Sequence, residues 1–371
     1  MEDRDHDAPT TGAPWRGAAR PPAWDDDWEA RWLAAAADAL VPAGTVPCRV
    51  TRIDKGGITV DTGTAAPALV VAAKAARRVV VGDVTALDAV AGRIEAILPR
   101  RTVFERRSPG VSRDEVRLEA RPVAANMDVV LVLQPLDPGV NLPRLARELV
   151  LAWESGAAPV VVLTKADLVD PDDARAQRDE AARFAPDVPV HRVTTARPGG
   201  ADELSRYAGP GRVLALLGAS GSGKSTLANA LAGHEVQLTA EVRSGDRRGR
   251  HTTTAGQLVA LAGGAWLIDT PGIRGVGLWA ADEGLERAFA DLARFAQDCR
   301  FEDCTHANEP GCGLLGAVER GEVGPDRLAV WQGLVEELEA LEADLEVRAR
   351  ELERRANQRA RHRARSRDDR P

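Results

Sequence analysis

The sequence predicts an α/β protein. A small OB-type β-barrel comes first, a mostly parallel sheet flanked by helices follows, and a helical region with a cysteine–histidine cluster ends the chain. Three observations predict it. Short β-rich runs around a Gly-Gly turn, beginning "VPCRVTRIDKGGITVDTG", occupy residues 44–103. Buried-strand runs alternate with helical stretches over residues 104–278. Cys299, Cys304, His306 and Cys312 then fall within fourteen residues, in a region that is otherwise helical.

A chain of 371 residues with 44% hydrophobic residues is long enough for two or three domains with their own cores. No apolar run approaches the roughly 20 residues of a membrane span. The opening "MEDRDHDAPTTGAPWRG" is acidic and Pro/Gly-rich and lacks the apolar core of a signal peptide. A soluble cytoplasmic protein without a membrane partner is expected. The net charge of −7 argues against a wholly basic nucleic-acid binder, but it hides local polarity. "RRTVFERR" at 100–107 and "RSGDRRGRH" at 243–251 are basic, and residues 354–370 hold eight Arg against two Asp.

Residues 1–43 read as an acidic tail, disordered except for a short amphipathic helix in "DDDWEARWLAAAADAL". Residues 44–103 carry about five short strands, the pattern of a small barrel. Such barrels often bind nucleic acid; a mere packing module would show the same pattern. Cys48 stands alone in an apolar stretch and fits a buried core thiol.

Within 104–278, "DVVLVLQPL", "APVVVLTKAD", "RVLALLGAS" and "AWLIDTPG" are apolar runs ending in polar or glycine-rich turns. "LPRLARELVLAWESG" is one of the helical stretches between them. That alternation predicts a parallel sheet with ligands at the carboxyl ends of its strands. Residues 279–371 read as a helical metal-bearing domain with a basic tail, in which Leu334, Leu338, Leu341 and Leu345 form one stripe.

Gly218-Ala219-Ser220-Gly221-Ser222-Gly223-Lys224-Ser225-Thr226 contains G-x-x-x-x-G-K-S between a strand run and a helix. Glycines let backbone N–H groups approach phosphate oxygens, and the helix N-terminus adds partial positive charge. Lys224 is expected on the β- and γ-phosphates and Ser225 on Mg²⁺. Lys224 and Lys165 are two of only four lysines in the chain, and both fall inside nucleotide motifs.

Asp269-Thr270-Pro271-Gly272 ends a strand run and fits D-x-x-G. Asp269 is expected to act on Mg²⁺ through water, and the Gly272 N–H to sense the γ-phosphate. "GRHTTT" lies between the two motifs and offers a Mg²⁺-ligating threonine among Thr252, Thr253 and Thr254, with Thr253 taken as the representative. Ile273 stands where many GTPases place a water-positioning Gln, so intrinsic hydrolysis should be slow. His251 is a candidate to supply that function.

Thr164-Lys165-Ala166-Asp167 ends the run "APVVVL". The Asp167 carboxylate can accept from guanine N1–H and the N2 amino group; adenine would leave it unpaired. Lys165 can lay its stem over the base. Thr164 replaces the commoner Asn, a tolerable change in a residue that tethers neighbouring loops. "VTTARPGGADEL", with Thr194 and Thr195, resembles a degenerate second base-contacting loop. The order is therefore base, base, phosphate, switch I, switch II: the usual order cut and rejoined. A parallel sheet permits this, because its site forms where strand ends meet in space. Cys299-x4-Cys304-x-His306-x5-Cys312 supplies three thiolates and an imidazole, the donor set of a closed structural zinc site.

Together these features resemble the ribosome small subunit-dependent GTPases, often called RsgA, over residues 44–320. "AANMD" at 124–128, leading into a strand, adds to the resemblance. It implies an OB-type barrel, a circularly permuted P-loop GTPase domain and a zinc-bearing helical domain. It also implies a GTP/GDP-binding protein that assists late maturation of the small (30S) ribosomal subunit; no strong dimer signal appears in the sequence, and a monomer is expected. Binding to 16S rRNA and hydrolysis that accelerates on the subunit are implied with it. Thr164 and the TTA stretch depart from the family's pattern and bear on the tightness of guanine selection. Ile273 keeps a second reading open: a GTP-binding ribosome scaffold with negligible turnover.

Overall fold

The computed structural model describes residues 20–63, 66–76, 78–111, 116–236, 256–270, 278 and 281–368. Five strands make the barrel: β1 (Val46–Asp54), β2 (Gly57–Asp61), β3 (Ala68–Ala72), β4 (Val84–Asp88) and β5 (Arg93–Ile97). β1 pairs with both β2 and β4, and the register slips between Val50 and Arg52. The slip lets one long strand bend and serve two neighbours. The pairings run β1-β2-β3-β5-β4 and back to β1, so the barrel is closed. Cys48, Val50, Val60, Val70, Leu87 and Ile94 fill it. Burial pushes the Cys48 thiol up to about 12, although Thr85 Oγ1 lies 3.0 Å from its sulfur.

Helix α1 (Asp26–Ala37) is capped by Asp25, whose carboxylate accepts from the Trp28 N–H at 2.8 Å. Trp28 and Trp32 on the helix, with Trp24 just before it, cover the barrel by packing on Val84, Ala86 and Leu98. The guanidinium carbons of Arg101 and Arg49 lie 4.6 and 5.5 Å from the Trp28 ring centroid. The amphipathic helix read from the sequence is therefore an integral cover of the barrel, not part of a free tail.

A two-stranded antiparallel ribbon, β6 (Val103–Val111) and β7 (Val116–Ala125), follows. The main sheet is built from β8 (Val129–Pro135), β9 (Ala158–Thr164), β10 (Val190–Arg192), β11 (Val213–Gly218), β12 (Gly256–Ala260) and β13 (Trp266–Asp269). Its order is β10-β9-β8-β11-β13-β12, parallel except for β12. Helices α2 (Leu142–Glu154) and α3 (Pro171–Phe184) connect β8 to β9 and β9 to β10, and α4 (Lys224–Ala232) follows β11. The carboxyl ends of β8, β9, β11 and β13 thus share one edge, whatever their order in the chain.

β12 also pairs with β1, at Gln257–Arg52 and Gly256–Ile53, so barrel and sheet are continuous. Gly256 is needed there: a Cβ would stand 2.9 Å from Thr270 Oγ1 and 3.0 Å from Val81 Cγ2.

The C-terminal region comprises α5 (Asp282–Ala288), α6 (Ala290–Ala296), α7 (Gly313–Glu319) and the long α8 (Pro325–Asp368). α5 lies close on α2: a Cβ on Gly284 would meet the Val150 carbonyl at 2.3 Å, and the Gly284 N–H donates to Glu154 at 2.8 Å. Buried Arg327 anchors the start of α8 through Asp291 and the carbonyls of Phe184 and Ala288. Arg147 on α2 forms a two-pronged salt bridge to Glu337 on α8, at 2.7 and 2.6 Å. From the leucine stripe, Leu334 and Leu338 are buried and Leu341 and Leu345 half-buried. Among the described residues, no helix is long and apolar enough to cross a membrane.

Candidate functional site

The glycine-rich loop lies between β11 and α4. Gly218 adopts φ 151°, and a Cβ there would stand 2.8 Å from the Leu133 carbonyl of the neighbouring strand, so only glycine fits. Gly223 closes the loop at φ 91°, and no side chain caps the first turn of α4. Those first N–H groups are thereby left facing the loop. Lys224 is buried, and its ammonium donates to the Gly218 carbonyl at 2.8 Å and to that of Ala219. Ser222 is buried, whereas Ser220, Gly221, Ser225 and Thr226 are exposed at the rim and Ala219 is half-buried.

Thr164 ends β9, and its hydroxyl donates to the Ser222 carbonyl at 2.7 Å. This bond ties two loops 58 positions apart in sequence. Lys165 takes a left-handed φ of 59°, which turns the chain sharply after the strand. The Ala166 N–H donates to the Val193 carbonyl at 3.2 Å. The Thr194 hydroxyl donates to Asp167 Oδ1 and also accepts the Ala196 N–H at 3.2 Å. The second threonine-bearing loop therefore orients the Asp167 carboxylate. Asp269 ends β13 opposite Gln257. Thr253, His251, Thr252, Thr254, Gly272 and Ile273 lie outside the described residues.

One buried polar pair was not foreseen. Gln134, at the end of β8, donates to Glu148 on α2 at 2.6 Å. Burial raises the Glu148 carboxyl to about 7, against the lowering influences of Arg144, the Gln134 bond and Lys224. In sequence Gln134 is a single polar residue inside an apolar run and Glu148 is one charge among several in its helix, and neither has a motif.

The Sγ atoms of Cys299, Cys304 and Cys312 and a ring nitrogen of His306 lie within 4.8 Å of one another. His306 Nδ1 is 3.5 Å from the sulfurs of both Cys299 and Cys312. The Gly313 N–H donates to the Cys299 sulfur at 3.3 Å. Glu309 organises the loop that presents His306. Its carboxylate accepts the N–H groups of Thr305, Ala307 and Asn308 at 3.0–3.1 Å, and the Thr305 hydroxyl as well. The Thr305 bonds and then the others hold that carboxyl down at about 2. The four donors converge and can hold one metal ion.

The model of the RsgA GTPase family matches residues 97–279. The Streptomyces coelicolor protein named small ribosomal subunit biogenesis GTPase RsgA is 42% identical over 337 residues, covering 88% of each chain. A protein of the same name from Mesorhizobium japonicum is 37% identical and covers 80% of this chain and 84% of its own. The crystal structure of YjeQ from Thermotoga maritima superimposes with a TM-score of 0.59 at 26% identity, covering 79% of this chain and 98% of its own. YloQ, a circularly permuted GTPase, has the same fold at TM-score 0.56 and 20% identity, covering 80% and 96%. Closed barrel, permuted sheet and close relatives agree: the chain belongs to the RsgA GTPase family.

Proposed function

We propose that this GTP hydrolase assists late maturation of the small ribosomal subunit, binding its 16S rRNA as a cytoplasmic monomer and hydrolysing GTP slowly until the subunit stimulates it. The Thr164–Ser222 bond carries the nucleotide half of the reading, because it joins a base-reading strand end to a phosphate loop despite their reversed chain order. The relatives' name supplies the ribosomal half. Basic stretches at 100–107 and 354–370 suit a phosphate backbone.

In this reading Thr164, Lys165, Ala166 and Asp167 select guanine. Gly218 to Thr226 cradle the phosphates. The Lys224 ammonium leaves the carbonyls of Gly218 and Ala219 for the β- and γ-phosphates, trading neutral acceptors for charged ones. Ser225 and Thr253, with Asp269 through water, hold the magnesium ion that accompanies the nucleotide and that neutralises charge developing on its phosphates. The Gly272 N–H senses the γ-phosphate. Ile273 cannot orient water, so His251 or a group on the subunit completes the site. The scaffold reading is not favoured, because the family and the relatives above are GTPases.

Cys299, Cys304, His306 and Cys312 hold one structural zinc ion. The Cys299–Cys312 sulfur separation of 3.9 Å fits a tetrahedron, whose edge is ~3.8 Å for Zn–S bonds of ~2.3 Å. Metal analysis of purified protein should return about one zinc per chain, and its absence would remove this assignment.

The test of function is turnover of GTP and ATP with and without small subunits. GTP-selective turnover that rises at least about tenfold, or ~1.4 kcal/mol of barrier, is expected. No stimulation despite particle binding would overturn the reading, and equal use of ATP would overturn the role of Asp167.

A further inference from the structure

Beside the cysteine–histidine cluster lies a cavity of about 780 Å³ between the loop that carries Cys304 and His306 and one face of α8. Trp331, Val335 and Glu339 recur at four-residue spacing on that face, as do Gln332 and Glu336. Glu302 and Asp303 stand on the opposite wall. The four carboxylates are exposed, the Trp331 ring is half-buried, and among the described residues no lysine or arginine lines the cavity. The Trp331 ring packs against His306, 5.7 Å away between centroids, and the Gln332 amide fixes the His306 carbonyl at 2.8 Å. A cavity lined by an aromatic ring and four carboxylates suits a guanidinium or ammonium group, which an aromatic ring attracts and carboxylates accept as a bidentate partner.

The charge pattern of α8 sharpens the choice of partner. Between Leu328 and Val347 every charged residue is acidic, and from residue 348 onward arginine dominates. Of the acidic residues on α8, Glu336 and Glu339 line the cavity, and a negative wall there disfavours RNA. We infer that the cavity is a docking site for an arginine- or lysine-rich extended peptide of a protein partner. On the reading proposed above, that peptide is the basic tail of a protein on the small subunit, so the metal-bearing domain recognises protein while the basic segments face RNA.

The test uses the full-length protein and a fluorescent hexa-arginine peptide, followed by anisotropy. Glu336→Lys with Glu339→Lys should weaken binding at least about tenfold while intrinsic GTP turnover stays unchanged. Asp172→Lys with Asp173→Lys, the same charge change on α3, should leave peptide binding unchanged. Co-sedimentation with small subunits should weaken only for the α8 pair. Equal loss in both double variants would mean non-specific attraction and overturn the inference, as would unchanged binding in the α8 variant. A wild-type dimer dissolved by the α8 substitutions would also overturn it, by assigning the cavity to the arginine-rich end of a second copy. These outcomes are separate from subunit-stimulated turnover, whose absence would sink the ribosomal reading and leave the peptide result standing.

Discussion

Replacing Thr164 with valine keeps the branched shape and deletes one hydroxyl. That hydroxyl donates to the Ser222 carbonyl at 2.7 Å, and both residues are buried, at 4% and 0% exposure. Water cannot readily replace the lost donor. Depriving a buried carbonyl of its partner costs about 1–3 kcal/mol, more than the 0.5–1.5 kcal/mol net value of an average hydrogen bond. The bond is the tie between the strand end that bears Asp167 and the loop that bears Lys224. Its loss should therefore fall chiefly on the arrangement that grips base and phosphate together. If the whole cost is expressed in binding, affinity for GTP drops roughly five- to 150-fold. Thr164→Asn should largely preserve affinity, because its amide can also donate. Titration with a fluorescent guanine nucleotide reads affinity, and urea unfolding reads how much of the cost appears as stability. Thr164→Val with less than about a twofold change in affinity and no change in unfolding free energy would refute the coupling.

Three further outcomes follow from named contacts. Asp167→Asn should weaken GTP binding at least about a hundredfold and narrow the preference over ATP, because the guanine N1–H and N2 donors lose their anionic acceptor; competition binding with both nucleotides checks it. Glu148 is raised from 4.5 to about 7 in the folded state, so folding takes up a proton between those values. The native stability that this proton supports is fully present below pH 4.5 and fades as pH rises through 7. At about 1.4 kcal/mol per pH unit, on the order of 3 kcal/mol is at stake, and Glu148→Gln should remove that slope from urea unfolding measured across the window. Arg327→Met should cost about 3–5 kcal/mol, because it strands Asp291 and the carbonyls of Phe184 and Ala288 in a buried site. Limited proteolysis should then release α8 before the sheet domain is cut.

The short motifs of the candidate site are more legible in the sequence than their setting, and particular residues show why. On the function proposed above, Gly218, Lys224, Asp167 and the cysteine–histidine cluster answer chemical demands that act over a few residues: a backbone approaching phosphate, a carboxylate meeting two donors, four ligands meeting one ion. Such demands write short local patterns, and the reversed order of those patterns exposed the permutation. Contacts made across the chain leave no comparable mark. Trp24, Trp28 and Trp32 stand at plain helical spacing, yet the surface they cover is made by Val84, Ala86 and Leu98. Period tells that a face is apolar, not what lies against it. The union of β1 with β12 rests on two residue pairs, and neither segment differs from an ordinary strand end. Glu148 sits in "LPRLARELVLAWESG" among Arg144, Arg147 and Glu154, where a charged residue reads as solvent-facing. Its burial follows from Gln134 at the end of β8, a partner 14 positions earlier that only the folded sheet brings near. A buried carboxyl of this kind carries stability and proton affinity together. Nothing local in the sequence forecasts that behaviour, and the pH dependence of Glu148→Gln tests it without reference to catalysis.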